Sequence, residues 1–509
     1  PPARARISRR QISPEGAAEH HLSALLPLIE SHGKVNLPVA EKMPTTLSEP
    51  GHDVPVLASY DVVVCGGGPA GCAAAIAAAR NGAKTLVLEK EGYLGGAPCT
   101  QLVCVILSTN GVDFQGIWHE YIARLQARNA VRPFSRPFPG GHIRSVTDPE
   151  QVKFVWDELL TEAGVEMLHH SYGAVCSVED GVAKGVFVET RAGRQAILAK
   201  CVVDATGDGI VAAQTGIPFE PGDGEHLWAM ALTKMFRMGN VRKPANWPDE
   251  EALARIEREL TAAIERGEYT APVIVEKKRF MGYVRNWSWG MPQNRTEFLS
   301  LIGRVLKVNP LDPFDLTRAE REGREQARQA ADALCRFVPG FEEAYLLDTS
   351  NQIGVRSSRR LRGIATVSDE DVWNFNKYPD SIARASWDVD VWPADSYSKA
   401  AVPIGTDGYK WRQERMERGD YFDIPYGAIV ADGVDNLFMA GRCISASHLA
   451  QASLRIQQTC MSTGQAAGTA AALCVRTGAS PHTLDPQPVI RQLEQDRAAV
   501  KPALDASQL

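Results

Sequence analysis

The 509-residue sequence contains no apolar run long enough to cross a membrane. A spanning helix needs about 20 apolar residues. The stretch Gly464–Leu473, GQAAGTAAAL, does hold the Gly-x-x-x-Gly pattern by which membrane helices pack together. However, only twelve residues run from Gly464 to Val475 before Arg476, which is about 18 Å of helix. We therefore expect no membrane partner and attribute these small residues to close packing of backbones.

An excess of basic residues is also missing. Lys and Arg number 55 against 61 Asp and Glu, which gives a net charge of −6. Proteins that bind nucleic acid present a broad basic surface, so we expect no nucleic-acid partner. The cluster Arg356-Ser-Ser-Arg359-Arg360-Leu-Arg362 is a local exception. Two interpretations remain open for it, a site for a phosphate or acidic substrate and a set of structural salt bridges.

The ten cysteines follow neither the spacing of a metal site nor a disulfide framework. Zinc and iron–sulfur sites commonly use Cys-x-x-Cys, which this sequence lacks, so we expect no metal. Scattered cysteines suit a reducing compartment, and the N-terminal stretch shows no apolar leader. We therefore expect a cytoplasmic protein. The pair Cys99 and Cys104 is either a redox pair or two buried thiols.

The apolar pattern predicts the start of a doubly wound α/β fold. A strand at Tyr60–Cys65, an Ala-rich helix at Ala73–Asn81 and a strand at Lys84–Glu89 follow one another. A helix at Pro149–Ala163 and a hairpin that turns at Asp180-Gly181 come next. This order is typical of a nucleotide-binding domain with a mostly parallel sheet.

Composition divides the chain into four parts. Residues 1–57 predict an N-terminal extension, with a short helix near Ala17–Glu30. The small-residue α/β pattern covers 58–215 and returns at 425–480. Between these segments, residues 216–424 contain charged helices and an aromatic stretch. We therefore predict an α/β fold in which a discontinuous Rossmann-type domain carries an inserted α+β substrate domain, with a C-terminal tail at 481–509.

A glycine-rich turn follows the first strand. The segment Gly66–Gly71 reads Gly-x-Gly-x-x-Gly, and Glu89 ends the next strand 18 residues after Gly71. The glycines allow a tight turn and close approach of the backbone to a pyrophosphate, which the helix N-terminus attracts. An acidic residue in the position of Glu89 accepts hydrogen bonds from a ribose 2′-hydroxyl. The pattern predicts a dinucleotide site.

Three further segments favour FAD over NAD as the dinucleotide. Gly92–Gly96 places more glycines near the same phosphates. A late strand ends in Ala440-Gly441-Arg442, which supplies a second backbone segment and a cation. We predict a helix N-terminus at Gly464 that points unpaired N–H groups at the flavin, where the helix dipole favours negative charge.

The chain resembles the FAD-dependent oxidoreductase family of the glutathione-reductase-like type. The resemblance lies in five segments: YDVVVCGGGPAGCAAAIAAARNGAKTLVLEKEGYLGG, VTDPEQVKFVWDELLTEAGVEML, CVVDATGDG, IGVRSSRRLRG and DIPYGAIVADGVDNLFMAGRCISASHLAQASLRIQQTCMSTGQAAGTAAAL. It implies FAD as cofactor and a small-molecule substrate, without naming that substrate. Relatives often have His where this chain has Trp392. The residues we expect to bind FAD are Gly66, Gly68, Pro69, Ala70, Gly71, Glu89, Lys90, Gly95, Gly96, Val175, Ala205, Gly207, Asp208, Gly441, Arg442, Gly464 and Ala466.

Two residues are candidates for catalysis. His448 follows the loop Arg442–Ser447, between the last strand and the final helix, and histidine has a pKa suited to a general base. A histidine bonded to a loop carbonyl is the alternative. Arg455 pairs either with a substrate carboxylate or flavin carbonyl, or with a structural acid. Trp287, Trp289, Trp387 and Trp392 either line a pocket or pack in the core.

These features predict an enzyme that oxidises a small organic substrate by hydride transfer to flavin N5, with oxygen or another acceptor reoxidising the flavin. Two alternatives remain, an NAD(P)H-dependent flavin monooxygenase and a partner-dependent electron-transfer subunit. A homo-oligomer is compatible with the sequence.

Overall fold

The computed structural model describes residues 51–500, apart from 110, 114, 134–141, 229, 287–290, 293–295, 398–406 and 499. Every element below lies in one compact unit, Val54–Leu509. The helix predicted near Ala17–Glu30 and the tryptophans Trp287 and Trp289 lie outside the described residues.

The strands are β1 (Val56–Cys65), β2 (Thr85–Leu88), β3 (Val105–Thr109), β4 (Val131–Pro133), β5 (His142–Thr147), β6 (Glu166–Leu168), β7 (Tyr172–Glu179), β8 (Val182–Thr190), β9 (Gly193–Asp204), β10 (Phe219–Pro221), β11 (Phe236–Gly239), β12 (Phe298–Ser300), β13 (Tyr345–Thr349), β14 (Arg359–Leu361), β15 (Ser381–Ala385), β16 (Phe422–Pro425) and β17 (Leu437–Met439).

The α-helices are α1 (Pro69–Arg80), α2 (Ala97–Thr100), α3 (Ile117–Ala127), α4 (Pro149–Glu162), α5 (Ile210–Ala213), α6 (Glu250–Glu265), α7 (Pro272–Val275), α8 (Lys278–Asn286), α9 (Pro313–Phe337), α10 (Asp369–Asn374), α11 (Asp407–Glu417), α12 (His448–Leu454), α13 (Gln457–Thr477) and α14 (Pro486–Gln495). Short 3₁₀ turns occupy Tyr426–Ile429 and Gly441–Cys443.

One mixed sheet joins the early strands to a late one. Its order is β6-β2-β1-β9-β8-β7, and β17 pairs with the end of β9. The strands β6, β2, β1, β9 and β17 run parallel, whereas β7 and β8 form an antiparallel hairpin beside β9. This mainly parallel sheet confirms the predicted α/β fold class. Ligands bind at the carboxyl ends of parallel strands in such sheets.

A second hydrophobic core lies between Phe236 and Phe341. Helix α6 contributes Leu253, Ile256 and Leu260 to it, and this three- and four-residue spacing places them on one helical face. The antiparallel sheet β12-β11-β13 and helix α9 complete this part of the chain. The domain boundaries at 216 and 424 stay predictions.

Several predicted elements are found close to their predicted positions. Helix α1 covers Pro69–Arg80 and so begins one turn before the predicted start at Ala73; Pro69 fits the first helical turn because an N–H would have no intrahelical acceptor there. The hairpin turns at Asp180 and Gly181, whose φ angles are 50° and 76°. Both positive values are those of the tight hairpin turn predicted from the Asp-Gly pair.

The predicted start of the last long helix was wrong. Helix α13 begins at Gln457, after the cap Ile456, and Gly464 lies two turns inside it. The predicted helix began at the small residues, although GQAAGTAAAL lies in the middle of the observed helix. The backbone N–H of Gly464 is therefore inside the helix, and the terminal N–H groups belong to Gln457, Gln458 and Thr459.

Candidate cofactor and substrate site

The glycine-rich turn between β1 and α1 is closely packed. Gly66 has φ 102°, and a Cβ there would lie 2.6 Å from the carbonyl oxygen of Ala205. A Cβ on Gly71 would lie 1.8 Å from the carbonyl oxygen of Gly66. Only glycine fits either position, so the tight βα turn that we predicted from the spacing is present.

A second loop lies against the same turn. The N–H of Gly95 donates to the carbonyl of Gly67 over 2.8 Å. A Cβ on Gly96 would lie 2.7 Å from the Cα of Gly68. The segments around Gly66–Gly71 and Gly95–Gly96, which are separate in sequence, are thus in direct contact at the N-terminus of α1.

Glu89 lies at the carboxyl end of β2 with 7% of its surface exposed. Its Oε2 accepts from the N–H of Gly67 over 2.8 Å, and its Oε1 accepts from the N–H of Glu91 over 2.9 Å. Burial raises its pKa, although these hydrogen bonds oppose the shift. The carboxylate is held beside the turn, and each oxygen retains further acceptor capacity.

Helices α1 and α13 cross through two glycines. A Cβ on Gly464 would lie 2.0 Å from the carbonyl oxygen of Ala70, and one on Gly468 would lie 2.0 Å from that of Ala74. The prediction that the Gly-x-x-x-Gly pattern serves close helix packing is confirmed. Across the described residues, no helix is long and apolar enough to cross a membrane.

The segment that follows β17 contacts the first turn of α1. A Cβ on Gly441 would lie 2.8 Å from the Cβ of Ala70, and its N–H donates to Thr463 Oγ1 over 3.1 Å. Arg442 is paired with Asp208, Nη2 to Oδ1 at 2.7 Å, and its Nη1 donates to Ser358 Oγ over 3.2 Å. The charge of Arg442 and burial act in opposite directions on Asp208, and its pKa is lowered on balance. The cation that we expected at the cofactor is therefore held by an acid that we also expected there.

The other expected cofactor residues are distributed around this centre. A Cβ on Gly207 would lie 3.1 Å from Arg442 Nη2. Lys90 is exposed, and its charge acts on Asp208. Val175 lies in β7, and Ser171 just before that strand donates its N–H to the carbonyl of Glu89 over 3.0 Å. Ala466 is fully buried inside α13.

These residues fit the pyrophosphate of a dinucleotide. The N-terminus of α1 has no side-chain cap, and Gly68 precedes it in extended conformation. Ala70 and Gly71 therefore direct N–H groups without intrahelical acceptors into the space where the glycine loops meet. A Cβ on Gly68 would lie 3.8 Å from the Cα of Gly96, and one on Gly441 would lie 2.8 Å from the Cβ of Ala70.

A comparison with protein families decides the assignment. The family model described as FAD dependent oxidoreductase matches residues 61–495. The chain belongs to this family. FAD is accordingly its cofactor, and the protein is an FAD-dependent oxidoreductase.

Curated relatives of this oxidoreductase match parts of the chain. A dihydrolipoyl dehydrogenase from Trypanosoma brucei brucei is 53% identical over 51 residues, which is 10% of each chain. An uncharacterised protein in the nifH2 5′ region of Methanosarcina barkeri is 30% identical over 186 residues, covering 33% of this chain and 94% of that protein. The oxidoreductase thus matches about a tenth of the length of the dehydrogenase.

Among solved structures, a geranylgeranyl bacteriochlorophyll reductase-like protein from Thermoplasma acidophilum is similar with a TM-score of 0.42 and 14% identity. The alignment covers 86% of this chain and 84% of that one. The family assignment rests on the match over residues 61–495.

His448 is the first residue of α12, at which Ser447 forms the cap. Burial and the charge of Arg360 lower the pKa of His448 to about 4. Its Nδ1 is buried and has no hydrogen-bond partner in the described part of the chain. Nδ1 makes no bond to a loop carbonyl among these residues, and the choice between a catalytic and a structural role for His448 stays a prediction.

Arg455, at the end of α12, is paired with Asp390. Its Nη2 donates to the backbone carbonyl of Asp390 over 2.8 Å and to its Oδ2 over 3.1 Å. Burial lowers the pKa of Arg455. Its Nε is buried and has no acceptor among the described residues, so this guanidinium combines a structural pair with an unused donor.

The cysteine and arginine alternatives are now clearer. Cys99 and Cys104 are both free and buried, and each thiol donates to a backbone carbonyl. Burial raises the pKa of both thiols, which makes them poor nucleophiles.

In the basic cluster, Arg360 pairs with Glu220 over 3.2 Å and Arg362 with Asp432 over 3.3 Å. Arg356 differs, because it lies in a separate group of arginines.

Sequence reasoning missed that group. Arg279 and Arg304 lie with Arg356 around the ring of Trp392. Arg304 is fully buried although it occurs in the apolar run LIGRVL. A charged residue inside such a run was the available signal, since arginine is almost never fully buried without partners.

Proposed function

We propose that this oxidoreductase oxidises a small organic molecule, and that bound FAD supplies the chemistry by accepting a hydride at N5, with oxygen or another acceptor reoxidising it. The observation that carries the proposal is the state of His448. A substrate that loses a hydride from carbon must also lose a proton from its attached oxygen or nitrogen, and a positioned base accelerates that loss.

His448 is neutral and is fixed beside the dinucleotide site, but its lowered pKa makes it a weaker base than the free imidazole that the sequence suggested. Its lowered pKa of about 4 keeps the imidazole neutral at neutral pH, so one ring nitrogen is able to accept a proton. Its helix α12 follows the segment that carries Gly441, and Gln451 of that helix donates to the carbonyl of Arg442 over 2.9 Å. The base is therefore fixed to the same framework as the dinucleotide site.

Arg455 is proposed to orient the substrate. Its pair with Asp390 fixes the guanidinium plane, and its unused Nε is a donor for an oxygen of the bound molecule. His448 and Arg455 lie at opposite ends of α12 and are close enough for the charge of Arg455 to act on the imidazole.

The test is anaerobic reduction of the purified flavoprotein by a panel of small alcohols, amines and hydroxy acids. We expect one class to bleach the flavin absorbance without NAD(P)H. His448→Gln should slow that reduction about 100-fold or more at unchanged FAD content, whereas the exposed His119→Gln should not.

Two outcomes would replace this proposal. Bleaching by NAD(P)H that substrate stimulates would identify a flavin monooxygenase. Bleaching that requires a co-purified second protein would identify an electron-transfer subunit.

A further inference from the structure

Three arginine side chains converge on one indole ring. The guanidinium carbons of Arg304, Arg279 and Arg356 lie 4.1, 5.1 and 5.7 Å from the ring centroid of Trp392. Arg279 also lies 5.4 Å from the ring centroid of Tyr283. The charges of Arg279 and Arg356 act on Arg304, so these guanidinium groups are close enough to repel one another. A cluster of cations of this kind attracts negative charge.

Two of these arginines donate hydrogen bonds to neutral oxygens. Arg279 donates to the carbonyls of Ile302 and Leu301 over 2.7 and 2.6 Å. Arg356 donates to the carbonyl of Ala231 and, over 2.9 Å, to Thr233 Oγ1. Neutral acceptors orient a guanidinium without cancelling its charge.

Arginines elsewhere in the same chain are neutralised differently. Arg237 lies between Asp348 and Glu297, and Arg442 is paired with Asp208. Near the arginine group, Asp390 is a carboxylate whose charge acts on Arg304 and Arg356, but it is paired with Arg455. The negative charge of Asp390 is thus shared among several cations.

Electrostatics agree with an excess of positive charge. Burial and the charges of Arg279 and Arg356 lower the pKa of Arg304 to about 8. Burial and the charges of Arg455 and Arg279 lower the pKa of Arg356 to about 9. An anion bound among these groups would offset both effects.

The arginine group is connected to the cofactor cradle, by which we mean the turn Gly66–Gly71, the loop Gly95–Gly96 and the segment at Gly441. Arg356 follows Gly354, which exchanges backbone hydrogen bonds with Thr233. Just before it, the N–H of Gln352 donates to the carbonyl of Thr100 over 3.0 Å. Thr100 ends helix α2, which begins directly after Gly96. The segment that carries Arg356 is therefore hydrogen-bonded to helix α2, which directly follows the loop that contacts the N-terminus of α1.

We propose that Arg279, Arg304 and Arg356 bind an oxyanion of the substrate, a carboxylate or a phosphate. Planar guanidinium groups match the oxygens of both. Trp392 and Tyr283 supply apolar ring surface beside these guanidinium groups for the organic part of the same molecule. The substrate class is therefore a small organic anion, and only the statement that this anion is the substrate rests on the proposed function.

Binding is measured by calorimetry on the FAD-loaded protein, so that no turnover is needed. The probes are benzoate, glutarate and inorganic phosphate, with uncharged benzamide as the control ligand. We expect saturable binding of at least one anion and none of benzamide. Binding of the carboxylates alone assigns a carboxylate substrate, and binding of phosphate alone assigns a phosphate ester.

The variants Arg279→Gln and Arg356→Lys should each raise the Kd of that anion about tenfold or more, because a charge or a guanidinium fork is lost. Arg362→Gln removes the same charge from an exposed position outside the group and should leave the Kd unchanged. Absorbance at the flavin band reports FAD content, and a thermal melt reports folding, for all three variants.

The inference is overturned if the wild-type protein binds none of the anions. It is also overturned if neither Arg279→Gln nor Arg356→Lys weakens anion binding more than Arg362→Gln does. Failure of the proposed function looks different. In that case the anions bind and the variants weaken this binding, but no carboxylate or phosphate ester bleaches the flavin.

Discussion

At the scale of single residues, His448 links stability to pH. Its neighbours include Arg360 and Arg455, whose charges lower its pKa, and Asp223 and Asp369, whose charges raise it. Burial is the largest cause, and the pKa falls from 6.5 to about 4. The folded state therefore binds this proton less readily than the unfolded state does.

The sign of the pH effect follows. A lowered folded-state pKa stabilises the fold above pH 6.5, and this contribution is lost as the pH falls through about 4. We expect the wild-type protein to lose about 1–3 kcal/mol more than His448→Gln between pH 7 and pH 4. Urea unfolding at both pH values measures this difference, with His119→Gln as the surface control. Equal losses in wild type and His448→Gln would contradict the assignment.

At the scale of elements, the crossing of α1 and α13 depends on the absence of two side chains. Gly464→Ala and Gly468→Ala each place a methyl group 2.0 Å from a backbone oxygen. Backbone cannot rotate away as a side chain can, so we expect each change to cost about 3 kcal/mol or more. Denaturant unfolding provides the measurement, and FAD content should fall because Ala70 belongs to the cradle.

Helix α8 provides a matched control for these substitutions. A Cβ on Gly282 would meet no atom within 4 Å. Gly282→Ala should therefore be neutral or stabilise the protein by up to about 1 kcal/mol, as helix propensity predicts. Similar destabilisation at Gly282 and Gly464 would show that helix crossing is not the cause.

At the scale of the whole molecule, the cofactor cradle is assembled from distant parts of the chain. Gly66–Gly71 lies next to Gly95–Gly96, and its Ala70 also meets Gly441 and Gly464 from segments that follow β17. The ion pair of Arg442 with Asp208 spans 234 residues. A ligand that binds only the assembled state stabilises all of these contacts together.

Flavin removal should therefore lower the stability of the folded chain. With FAD at about 100 times its Kd, the free energy of unfolding should exceed that of the flavin-free protein by about 2.7 kcal/mol. Unfolding midpoints of the stripped protein, measured with increasing FAD, test this. A midpoint that ignores added FAD would falsify the assembled cradle.

Much of this cradle is predictable from the sequence because its determinants are local. Gly66–Gly71 specifies a turn through backbone freedom, and Asp180-Gly181 specifies a hairpin in the same way. The predicted start of α13 was wrong because Gln457–Thr463 has no cap signal. The helical state of this segment depends on its burial against other elements.

Residues whose importance depends on distant partners were harder to assign. Arg442 was expected at the cofactor, but its ion pair with Asp208 is set by strands that meet only in the fold. The cytoplasmic location, the partners and the oligomeric state stay predictions.

The dinucleotide turn, the α/β class and the family are specified by the order of residues, because glycine spacing and apolar periodicity act over a few residues. Which charges are neutralised depends instead on how the chain folds. The fold pairs Arg442 and Arg455 with acids, and it gathers Arg279, Arg304 and Arg356 around Trp392. Electrostatic energy depends on distances between side chains and on their exposure to water, and neither quantity is contained in the order of residues along the chain.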